Sequence, residues 1–213
     1  YGRSTESKIR DMIGPSDDLT HPLALSGWIE PPVGQPRVAP AGAKALVAVY
    51  GMSFSANVAL AMHEQIAELS VRNAGGPGAT LAHSYAMYQR DRLEHEAHVI
   101  VLGVLASSFP SLSTLTHATW NFEAPSPHFY SRYRLEGGAL AATPAPIASL
   151  AELREALADP ARFEALRAAL ERGDAFYDEL VFRESALDRS LIARALSREE
   201  LAAAQELLWA SDT

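Results

Sequence analysis

The sequence predicts an α/β fold in which helices cover both faces of a parallel sheet. Two observations predict it: short continuous apolar runs that end at glycine, and helical segments between those runs. A continuous apolar run of this length is typical of a strand that is buried on both faces. Because strand and helix alternate twice, the chain favours right-handed crossover connections between neighbouring parallel strands.

The first strand and helix are the clearest elements. An apolar run over 45–50 stops at Gly51 and predicts a buried strand. A helix is predicted over 55–69, because apolar residues recur there at helical spacing. These apolar residues are Val58, Met62, Ile66 and Leu69.

A second strand and a third strand follow. The second is predicted over 69–73 and ends in a cluster of glycines that includes Gly75 and Gly78. A helix is then expected from Thr80 to about 95, and 99–103 is predicted to be a third buried strand. This order completes two strand–helix–strand units.

The rest of the chain reads differently and suggests three parts. Residues 1–43 contain many prolines and are expected to form an irregular N-terminal arm, because proline breaks regular elements. Residues 44–147 hold the α/β core and a small hairpin over 133–140 that turns at Gly137 and Gly138. Residues 148–213 are rich in Ala, Leu, Glu and Arg and predict two or three amphipathic helices.

Composition excludes several classes of function. The net charge is −8, and no run of basic residues is present, so neither nucleic acid nor an anionic membrane surface is an expected partner. No apolar run is long enough to span a bilayer. The chain has no cysteine, which excludes disulfides, thiolate metal sites and a cysteine nucleophile. We expect neither a metal nor an organic cofactor.

Candidate chemistry follows the three predicted strands at their carboxyl ends. Ser53 comes directly after the first strand and before a helix, where an open parallel sheet binds ligands and where the positive end of the helix dipole lies. The glycine loop after the second strand can bring backbone N–H groups to an oxyanion. The third strand leads to Ser107 and Ser108 at the same edge.

These segments, in this order, resemble the SGNH (GDSL-like) hydrolase family, especially bacterial members linked to cell-surface polysaccharides. Residues 51–55 are similar to the family's nucleophile block, which maps the nucleophile onto Ser53. Residues 73–80 look like the second block, with the oxyanion glycine at Gly78 and Gly75 as the second choice. The segment 127–140 is similar to an insertion in the polysaccharide-linked members. The resemblance covers 46–140 and implies a three-layer, flavodoxin-like core.

Three positions depart from the family pattern. Met52 replaces an Asp that is not the proton acceptor. Leu105 occupies the position of an Asn that donates to the oxyanion, a role for which Ser107 or Ser108 is the substitute. The family's Asp-x-x-His pair lies near the C-terminus, but no histidine follows His128.

On this pattern the general base is missing, and no histidine of the chain ranks above that interpretation. Asp18 and His21 have the spacing of the family's pair but precede the serine. His117 and His128 follow the third strand and rank above His21, because reach to the serine hydroxyl outranks spacing. Four other histidines lie on or near helices, where solvated or capping roles are expected; these are His63, His83, His95 and His98.

The resemblance implies a serine esterase or O-acyltransferase that acts on acyl groups of a carbohydrate or a small ester. Two alternatives remain open: an inactive SGNH-like module that binds a glycan or a protein, and a truncated hydrolase whose Asp-His pair lies beyond Thr213. The resemblance also implies a periplasmic location, whereas composition leaves localisation and oligomeric state open.

Overall fold

The computed structural model describes residues 3–14, 28, 34–76, 78, 80–121, 125–183 and 191–211. The chain divides into two compact units. The sheet unit comprises Ser26–Ser108, and the helical unit comprises Tyr1–Leu25 together with Phe109–Thr213.

These boundaries differ from the three parts expected from the sequence. The described residues 3–14 group with the C-terminal part, and the hairpin also belongs to the helical unit. Hydrogen bonds explain the first difference, because Arg10 donates to the Leu157 carbonyl and Arg154 donates to the Ile13 carbonyl. The arm also contains a regular helix over Thr5–Met12, capped by the Ser4 side chain.

The elements follow the expected order, with a few shifted ends. In chain order they are α1 (Thr5–Met12), β1 (Ala45–Gly51), α2 (Ser53–Gln65), β2 (Leu69–Gly75), α3 (Leu81–Asp91), β3 (Val99–Leu102), a 3-10 helix (Ala106–Ser113), α4 (His117–Trp120), β4 (Arg132–Glu136), β5 (Ala139–Thr143), α5 (Leu150–Ala158), α6 (Pro160–Gly173), α7 (Glu179–Phe182) and α8 (Leu191–Ser211). None of these described helices combines the length and apolar character needed to cross a membrane.

The sheet unit is built on three parallel strands in the order β2-β1-β3. The central strand β1 is buried from Leu46 to Gly51, because it has a neighbour on each side and a helix on each face. The prediction of a parallel sheet covered by helices is thus confirmed. The strand order is compatible with a flavodoxin-like core.

Each face of β1 packs against a different helix. Val47 and Val49 point to one face, where Ala59 and Met62 of α2 cover them. Ala48 and Tyr50 point to the other face, where Met87 and Tyr88 of α3 pack. This alternation places the two crossover helices on opposite sides and makes three layers.

The exposure of the third strand differs from the prediction. The sequence predicts a buried strand over 99–103, yet Val99, Ile100 and Leu102 are 48%, 42% and 39% exposed. Within the described part of the chain β3 pairs only with β1, so it forms an edge of the sheet rather than an inner strand. Its composition resembles that of a buried strand, and periodicity cannot distinguish the two positions.

A buried polar cluster lies under α3. The Arg72 guanidinium donates two hydrogen bonds to Asp91, at 2.8 and 2.5 Å, and both side chains are almost completely buried. The Tyr50 hydroxyl donates to the same carboxylate at 2.8 Å and lies 2.7 Å from His95 Nε2. Arg72 also donates to the Gln35 and Pro36 carbonyls, so the cluster ties the segment before β1 to the sheet.

The helical unit contains the predicted hairpin. Strands β4 and β5 pair in antiparallel register across Gly137 and Gly138, both with positive φ, as the two-glycine turn predicts. The following helices have polar N-caps: Ser149 begins α5 and Asp159 begins α6. The prediction of amphipathic helices in this region is confirmed.

Candidate active site at the carboxyl edge of the sheet

The three strands of the sheet unit end together. Gly51 of β1 is in register with Gly75 of β2, and the next amide, Gly76 N–H, donates to the Gly51 carbonyl at 2.9 Å. On the other side, Gly103 N–H donates to the Tyr50 carbonyl at 2.8 Å. The segments that the sequence singled out therefore start from one edge, at the point where the strand order reverses.

Glycine at these strand ends lets α2 approach the sheet closely. A Cβ atom added at Gly51 would lie 2.1 Å from Ser55 Oγ, and one added at Gly103 would lie 1.9 Å from the same atom. A Cβ at Gly75 would lie 2.9 Å from Ala56 Cβ. The first turn of α2 therefore rests directly on all three strand ends, which fixes the position of its first residue, Ser53.

Ser53 is exposed at the start of α2. Its helix has Met52 as N-cap, and this side chain makes no capping hydrogen bond. In the other described helices whose N-cap is assigned, a Ser, Thr or Asp side chain accepts a bond from the first turn; these caps are Ser4, Thr80, Thr116, Ser149, Asp159 and Asp178. The first-turn amides of α2 thus keep their capacity to donate to a ligand oxygen.

The glycine loop after β2 is held in a turn. Asn73 accepts a bond from Gly75 N–H at 3.0 Å through its side-chain oxygen, and its amide nitrogen donates to the Ala56 carbonyl. Gly78 has φ +63°, a conformation that favours glycine, and it is partly exposed. The structure therefore places Gly75 at the sheet edge against α2, whereas Gly78 is a turn residue after the strand.

An apolar cleft of about 240 Å³ lies beside the first turn of α2, where Phe54 and Ser55 line it. Its walls come from the start of α2, with Phe54 and Val58, and from β3 and the segment after it, with Val101, Val104 and Leu105. Phe54 is 71% exposed. Phe54 extends the apolar stripe of α2 one turn beyond the end of the sheet. This continued helical spacing is the sequence signal that could have identified the cleft.

The serines after β3 have different surroundings. Ser107 is exposed in the 3-10 helix, whereas Ser108 is buried and donates to the Leu105 carbonyl at 2.7 Å. Leu105 is 44% exposed and lines the cleft. Of the two serines proposed as substitute donors, Ser107 is the one with an accessible side chain.

The two histidines ranked as candidate bases belong to the helical unit, whereas Ser53 belongs to the sheet unit. His117 is buried, and burial lowers its pKa to about 4. Its Nδ1 accepts a bond from Ser126 N–H at 2.9 Å, so the neutral ring carries its proton on Nε2. His128 is 1% exposed, and its carbonyl accepts bonds from Thr116 and from His117 N–H. His21 and Asp18 lie outside the described residues.

Two of the histidines for which solvated or capping roles were expected have buried side chains. His95 belongs to the cluster under α3, where burial lowers its pKa against the opposing effect of Asp91. His83 is 1% exposed in the first turn of α3, directly after the glycine loop. His63 and His98 are exposed, as expected.

Sequence reasoning missed the position of His83. His83 follows the glycine loop at the carboxyl edge of the sheet. His63 lies ten residues farther along α2 than Ser53, which is about 15 Å along the helix axis. His98 accepts a bond from Leu46 N–H at the amino end of β1. Helical periodicity alone does not reveal that His83 faces inward.

Comparison of the chain with family models, with curated proteins and with solved structures gives no match.

Proposed function

We propose that the sheet unit is an SGNH-like module and that the chain is a serine esterase or O-acyltransferase for acyl groups on a carbohydrate. The observation that carries the proposal is the exposed Ser53 at the first turn of a helix without a side-chain cap, above the joint edge of three parallel strands. A nucleophile there meets the positive end of the helix dipole.

In the proposed reaction, Ser53 Oγ attacks the ester carbonyl and its proton passes to a base. The tetrahedral oxyanion accepts bonds from the Ser53 amide and the Gly78 amide. The sugar alcohol leaves with a proton, and the acyl group stays on Ser53. Water then releases a carboxylic acid in an esterase, whereas a second hydroxyl receives the acyl group in a transferase.

The apolar cleft beside the first turn of α2 supports an acyl substrate. Its walls are aliphatic and aromatic, and its volume of about 240 Å³ suits a short acyl chain rather than a long one. Phe54 and Leu105 lie on opposite walls, from α2 and from the segment after β3 respectively. The methyl of an acetyl group would contact these walls while its carbonyl faces the amides of α2.

The first test is acylation of Ser53 by an activated aryl acetate. We expect slow hydrolysis, because a serine without an adjacent base is a weak nucleophile at neutral pH. An acetyl adduct should be found by mass spectrometry on the peptide that contains Ser53, and Ser53→Ala should remove both the adduct and the hydrolysis above buffer.

Ser113→Ala is the matched control, because Ser113 lies in the helical unit and its side chain makes no hydrogen bond among the described residues. It should leave the rate unchanged. Hydrolysis that persists in Ser53→Ala would contradict the proposal. Brisk turnover that Ser53→Ala abolishes would instead show that a general base is present within these residues.

A second test restores the side-chain donor that the family pattern has at position 105. Leu105→Asn should raise the rate of aryl acetate hydrolysis roughly tenfold or more, since one oxyanion donor contributes about 10²–10³ in established cases. Leu105→Ala is the control, because it opens the cleft without adding a donor. Equal rates for both variants would argue against position 105 as part of an oxyanion hole.

A second candidate function is an inactive module that binds a glycan. Leu105 favours it, since an aliphatic side chain stands in the cleft where the family has a donor. Binding of an acetylated oligosaccharide that is equal in the unaltered chain and in Ser53→Ala, without any acetyl adduct on Ser53, would favour this alternative.

A further inference from the structure

The helical unit contains a cavity of about 320 Å³ that brings three arginines together. Arg132 and Arg134 come from β4, and Arg172 comes from the last turn of α6. The whole chain carries a net charge of −8, so this concentration of positive charge does not reflect its composition.

The hairpin geometry explains why two of these arginines share the cavity. Residues two apart on a strand point to the same face, so Arg132 and Arg134 lie side by side on β4. Thr143 pairs with Arg132 across the hairpin and therefore faces the same way. Its hydroxyl adds a neutral donor to the lining.

The opposite wall comes from α6. Ala169, Arg172 and Gly173 are spaced by three and four residues and so share one helix face. Gly173 matters because a Cβ there would lie 2.7 Å from Leu115 Cδ1, and its carbonyl accepts a bond from Arg132. Arg132 of the hairpin is thereby fixed against the end of α6.

None of the three guanidinium groups has a carboxylate within ion-pair distance among the residues that the structure describes. Other arginines of the unit form ion pairs, for example Arg10 with Glu6, Arg162 with Glu155 and Arg167 with Glu164.

Arg132 uses one nitrogen for the Gly173 carbonyl, and its Nε is buried without an acceptor in the described part of the chain. Burial and the charge of Arg134 lower the pKa of Arg132, against the opposing effect of Asp174.

Asp174 does not neutralise the cluster by direct contact. Its carboxylate accepts bonds from Leu115 N–H at 2.7 Å, from the Thr119 hydroxyl at 2.6 Å and from Phe176 N–H at 3.0 Å. These bonds hold it in the packing of the helical unit. The donors of the three guanidinium forks therefore exceed the acceptors that the described residues offer them.

We propose that this cavity binds the phosphate group of a small ligand. A guanidinium group binds two oxygens of a phosphate at once through a pair of hydrogen bonds. Three positive charges also match a phosphate dianion better than they match a carboxylate, which carries a single negative charge. The volume of about 320 Å³ equals that of about ten water molecules at roughly 30 Å³ each, so it holds a phosphate and part of the molecule that carries it. This site is independent of the function proposed for Ser53.

Isothermal titration of the full chain with three probes tests the site at constant ionic strength. The probes are inorganic phosphate, glucose 6-phosphate and acetate, with glucose as the uncharged control. We expect both phosphates to bind and acetate to bind at least tenfold more weakly. Tighter binding of glucose 6-phosphate than of inorganic phosphate identifies a phosphate ester as the ligand, and equal binding identifies the free anion.

Variants locate the binding. Arg134→Gln and Arg172→Gln should each weaken phosphate binding roughly tenfold or more, because each removes a charge-assisted pair of hydrogen bonds. Both side chains belong to exposed residues, so the fold is expected to persist. Arg92→Gln is the matched control, since Arg92 is exposed in the sheet unit and, among the described residues, its side chain bonds only to Gln89. Equal affinities in all three variants, acetate binding as tightly as phosphate, or absence of phosphate binding would overturn the proposal.

Discussion

Replacement of Asp91 by asparagine is expected to lower the free energy of unfolding by about 3 kcal/mol, because it leaves the buried Arg72 guanidinium without its counter-charge. The Asp91 carboxylate accepts two hydrogen bonds from Arg72 and one from Tyr50. The side chains of Arg72 and Asp91 are buried away from water. Urea unfolding followed by circular dichroism measures the change.

A surface pair provides the matched control for this substitution. Lys44 and Glu68 form a 2.6 Å ion pair, but their side chains are 72% and 59% exposed. Glu68→Gln should cost less than about 1 kcal/mol, since exposed pairs contribute little. Similar costs for both substitutions would mean that the buried pair has no special role in stability.

The same pair predicts a dependence on pH. Burial raises the pKa of Asp91, but the bonds from Arg72 and Tyr50 outweigh burial and hold the pKa below its usual value of 3.8. The stability that the charged form provides is therefore present above about pH 4 and is lost as the pH falls through the lowered pKa. The difference between the unaltered chain and Asp91→Asn should shrink correspondingly in acid.

Replacement of Gly51 by alanine is expected to cost about 3 kcal/mol and to reduce acylation of Ser53. The position has φ +149°, which strains an alanine, and the new Cβ would lie 2.1 Å from Ser55 Oγ. The first turn of α2 must then move away from the strand ends, and Ser53 moves with it. Hydrogen exchange of the β1 amides measures the loss of stability.

Gly42→Ala separates backbone strain from steric clash. Gly42 also has positive φ, but its Cβ would meet nothing within 4 Å. This control should cost about 1 kcal/mol, from strain alone. If Gly51→Ala proves no more costly than Gly42→Ala, the close packing of α2 on the strand ends does not constrain the serine.

Elements that depend on a short stretch of neighbouring residues could be predicted from the sequence. The apolar run that stops at Gly51 predicted β1, the glycine cluster after 69–73 marked the end of β2, and the Gly137-Gly138 turn predicted the hairpin. The exposure of Ser53 followed from the same reasoning, because a residue between a strand and a helix in a parallel sheet lies at the carboxyl edge.

Long-range properties could not be predicted in the same way. The exposure of β3 depends on which strand lies beside it, and an apolar run carries no information about its neighbour. The three-arginine cavity joins residues that are about forty positions apart, Arg132 on a strand and Arg172 on a helix. The burial of His83 depends on the direction that α3 takes over the sheet.

The exposed edge at β3 gives the two walls of the apolar cleft different stiffness. One wall begins at α2, whose first turn is held against three glycines, so displacing it requires separating tightly packed backbone. The opposite wall rises from a four-residue strand with half-exposed side chains, where local opening breaks fewer contacts. We therefore expect the Val101–Leu105 side of the cleft to move more readily than the side formed by α2.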